Sequence, residues 1–457
     1  MVRILIALVS IFTFASSAIA QEVPQDATPS FNCDFEPSCE VAPGIYGKMA
    51  TPVLSKFNLS IGGFVKLDYA YNSVNFGSSG ALTPPNGIPK TSSPQGQADQ
   101  SIFTARQSRI WLKVAGPTFL GAKTNALIEM DFYGDPAAPS ESPQMRMRQA
   151  WGSIDWANTQ ILFGQAYDIF GPMTMATIDL RQGSPYGTPN NPRLPQLRIT
   201  QKVNLNHDNA IKLIFGIQDP NQNGNNNANV PSINPALNQG TFGTAVNIAG
   251  QAMWVSKALG VGPGFWGLSM NSLSAGLFGL WGSQKVALAT GNKSVDSWGY
   301  GCSAFVPIMR SKDGKSRAMT LSFEGQAYMA ANMQFNSATS ATFVGSMANP
   351  KAAKGYGLAG QFIFYPLQSL GITAGYGRRN AYNYSDYRNN SNFQKSSSLI
   401  FANIAYDLNA AIRISAEYEN VNTQYGNVMS VPTTFGMAGT SGTGTANVGR
   451  LAIFYFF

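Results

Sequence analysis

Apolar and polar residues alternate along the chain from Phe57 onwards. Phe57, Leu59 and Ile61 carry apolar side chains, whereas Asn58 and Ser60 between them are polar. Successive side chains of a β-strand point to opposite faces, so this period of two predicts a strand with one apolar and one wet face. The pattern recurs often enough to predict sixteen strands, which begin near residues 57, 104, 122, 146, 159, 196, 209, 244, 270, 297, 318, 355, 369, 395, 410 and 446.

The connections between the predicted strands alternate in length. Segments 116–121 and 206–208 are short, whereas segments 73–101, 168–195 and 219–243 are long. Outer-membrane barrels have short turns at one rim and long loops at the other, and a soluble β-sandwich has no reason to sort its connections in this way. The pattern therefore predicts an all-β fold, a 16-stranded antiparallel transmembrane β-barrel with short periplasmic turns and long extracellular loops.

The last predicted strand ends in an aromatic stripe. Leu451, Ile453, Tyr455 and Phe457 share one face of this strand. The stripe resembles the terminal signature by which outer-membrane proteins are delivered to the barrel-assembly machinery; the alternative is a buried last strand of a soluble fold. In hydrocarbon every backbone polar group needs an internal partner, so the sheet must close on itself. The polar inner face then implies a water-filled lumen, for which sixteen strands leave room.

Composition supports the same fold class. Only 12% of the residues are charged, against about 25% in an average soluble protein. Beyond the first 20 residues no uninterrupted apolar run reaches the roughly 18 residues that a membrane-spanning helix needs. These features exclude a polytopic helical membrane protein and leave a large soluble β-protein or a transmembrane β-barrel.

The N-terminal region predicts export. Residues 1–20 combine Arg3, the apolar run ILIALVSIFTFA and the small residues Ala18 and Ala20, which together predict a cleaved signal peptide and, with the barrel, the outer membrane of a Gram-negative bacterium. Residues 21–56 are predicted to form a periplasmic extension and residues 57–457 the barrel. Cys33 and Cys39 enclose a five-residue loop, and in an exported chain a local disulfide is favoured over a metal site.

Strand parity identifies the predicted pore wall. An Arg or Lys on the lipid face near the bilayer midplane costs about 2–4 kcal/mol, so most charged residues are assigned to the lumen or the rims. Arg146 and Arg148 share one face on this basis, whereas Arg106 has the opposite parity to Arg109 and requires a bulge or a rim position. The residues predicted to line the pore or its constriction are Arg109, Lys113, Glu129, Asp131, Arg146, Arg148, Asp168, Asp179, Arg181, Arg193, Arg198, Lys202 and Arg413.

One long connection is predicted to fold into the barrel and narrow the pore. The segment 168–198 begins with apolar residues and contains five prolines, which does not suit a flexible external loop. The alternative is an external loop packed on a neighbouring protomer. If the predicted basic residues converge beside this loop, the channel should favour anions. Alternatively, these arginines pair with carboxylates of the barrel wall and only brace the loop.

Several short blocks resemble a known family. TARQSRIWLKV, RMRQAWGSIDW, ILFGQAYDIF, RLPQLRIT and the terminal FYFF are similar to the DcaP-like branch of the trimeric outer-membrane porins. The resemblance implies a homotrimer, a constriction loop and passive uptake of small, often anionic, solutes. The positions that match the basic residues of its motifs are Arg106, Arg109, Arg146, Arg148, Arg193 and Arg198. The chain departs from some members in residues 21–56, which carry prolines and the Cys pair instead of a heptad helix.

The expected function is therefore passive diffusion of small hydrophilic, preferably anionic, solutes. The expected partners are the lipid bilayer and lipopolysaccharide, further copies of the chain in a homotrimer, the barrel-assembly machinery during biogenesis, and the solute; no cofactor is expected. Nucleic-acid binding is not expected either, because the excess basic charge is scattered rather than grouped. The alternative function is an outer-membrane adhesin or structural barrel acting through long loops such as QDPNQNGNNNANVP. Hydrolysis by a Ser–His or Asp–His arrangement needs a His beside a nucleophile, and His207 lies in a predicted turn, so no enzyme is expected.

Overall fold

The computed structural model describes part of the chain. The described residues are 57–76, 87–134, 143–180, 186–189, 192–220, 246–288, 291–333, 343–346, 349–382, 394–425 and 442–457. The predicted signal peptide, the extension 21–56 with Cys33 and Cys39, and Arg181 lie outside these residues. None of the helices in the described part is long and apolar enough to cross a membrane.

Nineteen strands form within the described residues. They are β1 (Asn58–Asn72), β2 (Gln100–Thr104), β3 (Arg109–Ala115), β4 (Lys123–Asp131), β5 (Arg146–Asp155), β6 (Thr159–Tyr167), β7 (Arg193–Asn204), β8 (Asn209–Gln218), β9 (Asn247–Pro263), β10 (Met270–Leu288), β11 (Gly291–Met309), β12 (Thr320–Ala331), β13 (Phe343–Ser346), β14 (Asn349–Ala352), β15 (Lys354–Leu367), β16 (Leu370–Ala381), β17 (Gln394–Asp407), β18 (Ile412–Tyr425) and β19 (Gly442–Phe456).

Antiparallel pairing closes these strands into a barrel. Each barrel strand pairs with the next, and β1 pairs with β19, with Phe64 opposite Phe456. β2 pairs with Asp68–Asn72 of β1 and β3 pairs with the first half of β1, so β2 and β3 form one interrupted barrel strand. β13 and β14 form a separate hairpin. The described chain is therefore a closed 16-stranded antiparallel β-barrel, as the alternation predicted.

Two irregularities shape the wall near the basic residues. The break between β2 and β3 contains Arg106, whose backbone N–H donates to Thr104 Oγ1 at 3.2 Å. This break is the irregularity that the opposite parity of Arg106 and Arg109 required. In β5 the register with β4 shifts at Arg148, so that Arg148 and Gln149 are both buried. Such a bulge adds one unpaired residue and lets two neighbouring side chains face the same side.

The outer face of the barrel is apolar. Across the β1–β19 closure, Leu67 lies opposite Ile453 and Tyr69 opposite Leu451, and all four side chains are exposed. The residue between them on β1, Asp68, faces inward and is fully buried. Strands that alternate in this way around a closed wall expose the apolar surface that a lipid bilayer requires.

The two rims differ in their connections. At the rim where β1 begins and β19 ends, which we call the turn rim, neighbouring strands are joined by segments such as 156–158 and 205–208. At the other rim, the loop rim, most connections are longer, and the exception is the connection 289–290 between β10 and β11. One turn-rim connection does not stay on the rim: residues 264–269, between β9 and β10, fold into the lumen and place Trp266 among buried residues. We call this segment the inward turn.

Aromatic side chains fill one sector of the lumen near the turn rim. Phe64 contacts Phe454 and Trp111 edge to face at 5.8 and 6.4 Å between ring centroids, and Trp266 contacts Phe454 at 5.3 Å. Trp151 belongs to the same cluster. In this sector an apolar cluster interrupts the polar inner face that the alternation predicts. Trp111 has the same parity as Arg109, so strand parity places it in the lumen although it is apolar.

Candidate functional site

The connection between β6 and β7 runs inside the barrel. We call its described residues, 168–180 and 186–189, the constriction loop. At its start the fully buried Asp168 accepts hydrogen bonds from Gln218 Nε2 at 2.8 Å and from the Phe170 backbone N–H at 3.0 Å. Gly171 has a φ of +83°, and a Cβ there would lie 2.5 Å from Pro189, so this bend needs glycine.

Side-chain amides of successive strands hold the backbone of the constriction loop. Gln326 on β12 accepts from the Met173 N–H at 3.0 Å, and Gln361 on β15 accepts from the Ala176 N–H at 2.8 Å. Asn403 on β17 donates to the Ala176 carbonyl at 2.7 Å. Buried loop backbone needs such partners, and here the barrel wall supplies them. The loop therefore crosses the lumen, and the alternative of an external loop packed on a neighbouring protomer is wrong for its described residues.

A buried acidic group anchors the far end of this loop. The Ile178 N–H donates to Glu417 Oε2 at 2.9 Å, and Lys66 Nζ donates to the Ile178 carbonyl at 2.6 Å. Arg450 lies 2.8 Å from Glu417 Oε1 and 3.8 Å from Asp179 Oδ2. We call the whole set the acidic sector; its members are Lys66, Asp68, Asp179, Glu417, Glu419 and Arg450, all buried, and with two bases and four acids it carries a formal charge of −2.

A basic group occupies the wall from β2 to β7. Asp131 accepts two hydrogen bonds from Arg146, at 2.9 and 2.6 Å, and one from Arg148 at 2.9 Å. Glu129 Oε1 lies 3.4 Å from Arg109 Nε and also accepts from Arg148. This is the pairing with wall carboxylates that the sequence left open.

The bases nevertheless outnumber the acids in this group. Arg106 lies 5.1 Å from the ring centroid of Tyr133, and Arg193 lies 5.8 Å from that of Tyr167. We call the set the basic sector; its members are Arg106, Arg109, Arg146, Arg148, Arg193, Glu129 and Asp131, and with five arginines and two carboxylates it carries a formal charge of +3. The side chain of Arg146 is 38% exposed, so part of this charge meets water.

The other predicted site residues lie elsewhere. Lys113 and Arg198 are buried on the inner face, and Lys202 lines a cavity near the turn rim. Arg413 does not join the basic sector. Its Nε lies 2.6 Å from Asp407 Oδ1, and its Nη1 donates to the Trp266 carbonyl at 3.3 Å. Arg413 therefore holds the inward turn in place through its hydrogen bond to the backbone carbonyl of Trp266.

Sequence reasoning missed most of the acidic sector and the amide side chains that hold the loop. Glu417 and Glu419 have the parity of a lumen face, and Arg450 is opposite in parity to Leu451 and Ile453. Parity could therefore have placed all three inside the barrel. It could not have shown that they meet the constriction loop, whose tip is far from them in sequence.

Comparison with solved structures agrees with the barrel fold. The chain is similar to the outer-membrane channel DcaP of Acinetobacter baumannii, with a TM-score of 0.63, 18% identity and coverage of 88% of this chain and 97% of that chain. It is also similar to OprB of Pseudomonas putida (TM-score 0.51, 12% identity, 88% and 94% coverage). An anion-selective porin from Comamonas acidovorans gives a TM-score of 0.50 at 11% identity, with 88% and 100% coverage. No protein-family model and no curated protein matches the chain. At these identities the likeness concerns the fold, and it confirms the fold that the resemblance to DcaP-like porins implies.

Proposed function

We propose that this protein is a DcaP-like outer-membrane porin, a water-filled channel for passive diffusion of small hydrophilic solutes with a preference for anions. The observation that carries the proposal is the constriction loop, which crosses the lumen of a closed barrel and is held there by wall amides and by the acidic sector. A loop fixed in this way leaves a passage beside it whose width and charge are set by fixed residues.

Charge exposure supports the anion preference. The acidic sector is buried at the far end of the loop, and Arg450 and Lys66 lie among its carboxylates. In the basic sector, the side chain of Arg146 is partly exposed to water, and the five arginines outnumber the two carboxylates. At an effective dielectric of about 20, two unit charges about 4 Å apart interact by about 4 kcal/mol, and screening at physiological salt limits the reach to about 8 Å. The sign of the exposed charge therefore matters where the passage is narrow.

Location and assembly belong to the same proposal. We propose export through a signal peptide cleaved after Ala20, insertion by the barrel-assembly machinery into the outer membrane of a Gram-negative bacterium beside lipopolysaccharide, and a periplasmic position of the turn rim. The outward stripe of Leu451, Ile453 and Tyr455 on the last strand supports this insertion. The homotrimer rests on the family resemblance; chemical cross-linking of the unheated protein should give trimers, and monomers alone would contradict it.

The test of the function is the reversal potential of the purified protein in a planar bilayer under a KCl gradient. We expect a conducting pore with anion preference, and the control variant Lys315→Gln on the exposed turn 310–319 should leave the sign unchanged. Cation preference would contradict the selectivity, and the absence of any conductance would contradict the porin itself. The adhesin alternative concerns loops such as 221–245, which lie outside the described residues.

We propose no catalytic activity. His207 is almost fully exposed on the turn between β7 and β8, and its Nδ1 lies 2.8 Å from Asp208 Oδ1. In the part of the chain that the structure describes, no group of three or more His, Cys, Asp or Glu residues is arranged to hold a metal ion. Incubation with ester and peptide substrates should give no turnover above that of His207→Ala.

A further inference from the structure

The connections at the turn rim differ in length and charge. Within the described residues they are segments 116–122, 156–158, 205–208, 264–269, 310–319, 368–369 and 408–411. The segment 310–319, between β11 and β12, is the longest of them and contains all four of their Lys and Arg residues. Turns at this rim of an outer-membrane barrel are usually short, so a long and charged one is a distinct feature. We call this segment the basic turn.

Neighbouring parts of the rim hold the basic turn on both sides. The Ser311 N–H donates to the Val261 carbonyl on β9 at 2.8 Å, and the Arg317 N–H donates to Gln368 Oε1 at 2.7 Å. Gln368 belongs to the connection between β15 and β16. The side chain of Arg317 also lies 3.1 Å from Asp407 Oδ2. The backbone of the turn is therefore anchored, and one of its four bases has an acidic partner.

The single acid of the basic turn is engaged by the turn itself. Asp313 Oδ1 accepts from the backbone N–H groups of Lys315 and Ser316 at 2.9 and 2.6 Å. It also accepts from Ser311 Oγ at 3.2 Å. Gly314 has a φ of +76°, a conformation that suits glycine in such a tight bend. Asp313 therefore closes the turn and is not paired with one of its bases.

The other three bases of the turn are exposed. They are Arg310, Lys312 and Lys315. In the part of the chain that the structure describes, none of their side chains has an ion pair or a hydrogen bond. With Asp313 they give the turn a formal charge of +2, apart from the paired Arg317. A local excess of one sign attracts an ion of the opposite sign from outside the chain.

The bases lie next to side chains of the lipid-facing surface. Ile308 and Met309 at the end of β11 and Met319 at the end of the turn are apolar and exposed. A Cβ at Gly260 would lie 3.2 Å from Arg310 Cδ, so the aliphatic stem of Arg310 packs on β9. Long basic side chains cover apolar surface with their stems and keep their charged ends in the polar layer. The basic turn therefore begins where the apolar outer face ends, at the depth of the lipid headgroups.

We infer that the basic turn binds the phosphate headgroup of anionic phospholipids in the leaflet at the turn rim, through Arg310, Lys312 and Lys315. The inference goes beyond the proposed function and rests only on the membrane-inserted barrel in it. A phospholipid fits both features of the surface, because its acyl chains contact Ile308 and Met319 while its phosphate meets the bases. A soluble acidic partner would account for the bases alone.

The test is native mass spectrometry of the detergent-solubilised protein at low ionic strength. Phosphatidylglycerol and phosphatidylcholine with the same acyl chains are offered together, so that only the headgroups differ. Each Lys or Arg near an anionic lipid surface strengthens binding about fivefold. We therefore expect the wild type to retain phosphatidylglycerol at least about tenfold more than phosphatidylcholine. Added salt should reduce this preference, because it screens exposed charges.

Two variants of the basic turn assign the residues. The triple variant Arg310→Gln, Lys312→Gln and Lys315→Gln should reduce the preference for phosphatidylglycerol to within about threefold. The double variant Lys312→Arg and Lys315→Arg keeps the charge and should keep the preference. Circular dichroism of both variants should show the barrel intact, because the three side chains are exposed.

The control removes the same charge from the opposite rim. It combines Lys293→Gln, Lys351→Gln and Lys395→Gln, three exposed lysines at the loop rim, and should retain the wild-type preference. Loss of the preference in this control as well would show an effect of net charge and would overturn the site.

Two outcomes in the turn itself would also overturn the inference: equal retention of the two lipids by the wild type, and an undiminished preference in the triple variant. Inorganic phosphate in excess should not displace phosphatidylglycerol, and displacement would show a site for free phosphate instead. Binding of polyglutamate through the same three bases, without a preference for phosphatidylglycerol, would assign the turn to a soluble acidic partner.

The proposed function and this inference fail separately. The triple variant should conduct with the reversal potential of the wild type, because the basic turn lies on the rim and not at the constriction loop. A protein that stays dissolved without detergent would contradict the proposed membrane location. A detergent-solubilised barrel with no preference for phosphatidylglycerol would contradict the inference alone.

Discussion

Trp266 should control how firmly the constriction loop is held. In Trp266→Phe the ring is retained, but the N–H that bonds the Ala176 carbonyl at 3.2 Å is lost. A hydrogen bond of this kind contributes about 0.5–1.5 kcal/mol net, so the population of displaced loop should rise roughly 2- to 13-fold. In Trp266→Ala the packing against Phe454 and Phe265 is lost as well. Removal of a buried Trp side chain costs about 3–5 kcal/mol, so the population of displaced loop should rise much more than in Trp266→Phe.

The assay is single-channel recording at constant salt. We expect greater open-channel current noise in Trp266→Phe, and both higher conductance and higher noise in Trp266→Ala, with the sign of the reversal potential unchanged. The matched control is Trp281→Ala, because Trp281 is 50% exposed on the outer face of β10. Conductance and noise in Trp266→Ala that equal those of the wild type, with the barrel intact by circular dichroism, would refute the role of the inward turn as a support of the loop.

Three further changes test the two charged sectors and the loop. Arg146→Gln should lower the ratio of anion to cation permeability roughly 1.5- to 5-fold, because the partly exposed Arg146 attracts a passing anion about as strongly as a surface ion pair, by about 0.2–1 kcal/mol; an unchanged reversal potential would contradict it. Arg450→Gln should reduce the free energy of unfolding in urea by about 3–5 kcal/mol, because it removes the base that pairs with buried Glu417 and Glu419; an unchanged midpoint would argue against the anchor. Gly187→Ala should displace the loop and raise the conductance, since a Cβ there would lie 2.2 Å from the Leu358 carbonyl at a φ of +75°; normal conductance would show that the loop tolerates it.

The barrel could be predicted from the sequence because its strands must alternate wherever one face meets lipid and the other meets water. The starts predicted near residues 209 and 270 coincide with those of β8 and β10. The start predicted near residue 297 lies after the observed start of β11 at Gly291. The first residues of β11, GNKSVD, show no apolar alternation, so the pattern did not include them. That part of β11 pairs with β10 in a long hairpin, where backbone hydrogen bonds suffice without an apolar face.

The site was only partly predictable, because strand parity predicts on which face of the sheet a side chain lies but not which residues it contacts. Arg109 and Arg198 were assigned inward from parity, and both are buried there. The contact between Arg450 and Asp179 joins the last strand to the loop after β6, and no local pattern contains it. Trp266 lies in the segment GPGFWG, a short turn with two aromatic residues, which are unfavourable in a turn exposed to water. This pattern alone does not predict that the turn bends into the lumen.

Neighbouring residues of one strand face water inside a conducting barrel and lipid outside it. Lys212 lines the cavity inside β8, whereas Leu213 is 43% exposed on the outside. In a Cys302→Ser background, Lys212→Cys and Leu213→Cys should be compared by adding a charged, membrane-impermeant thiol reagent during recording. We expect modification of the first variant with a fall in current, and no reaction in the second. Equal modification of both, or modification of Lys212→Cys without any effect on current, would contradict a pore inside this barrel.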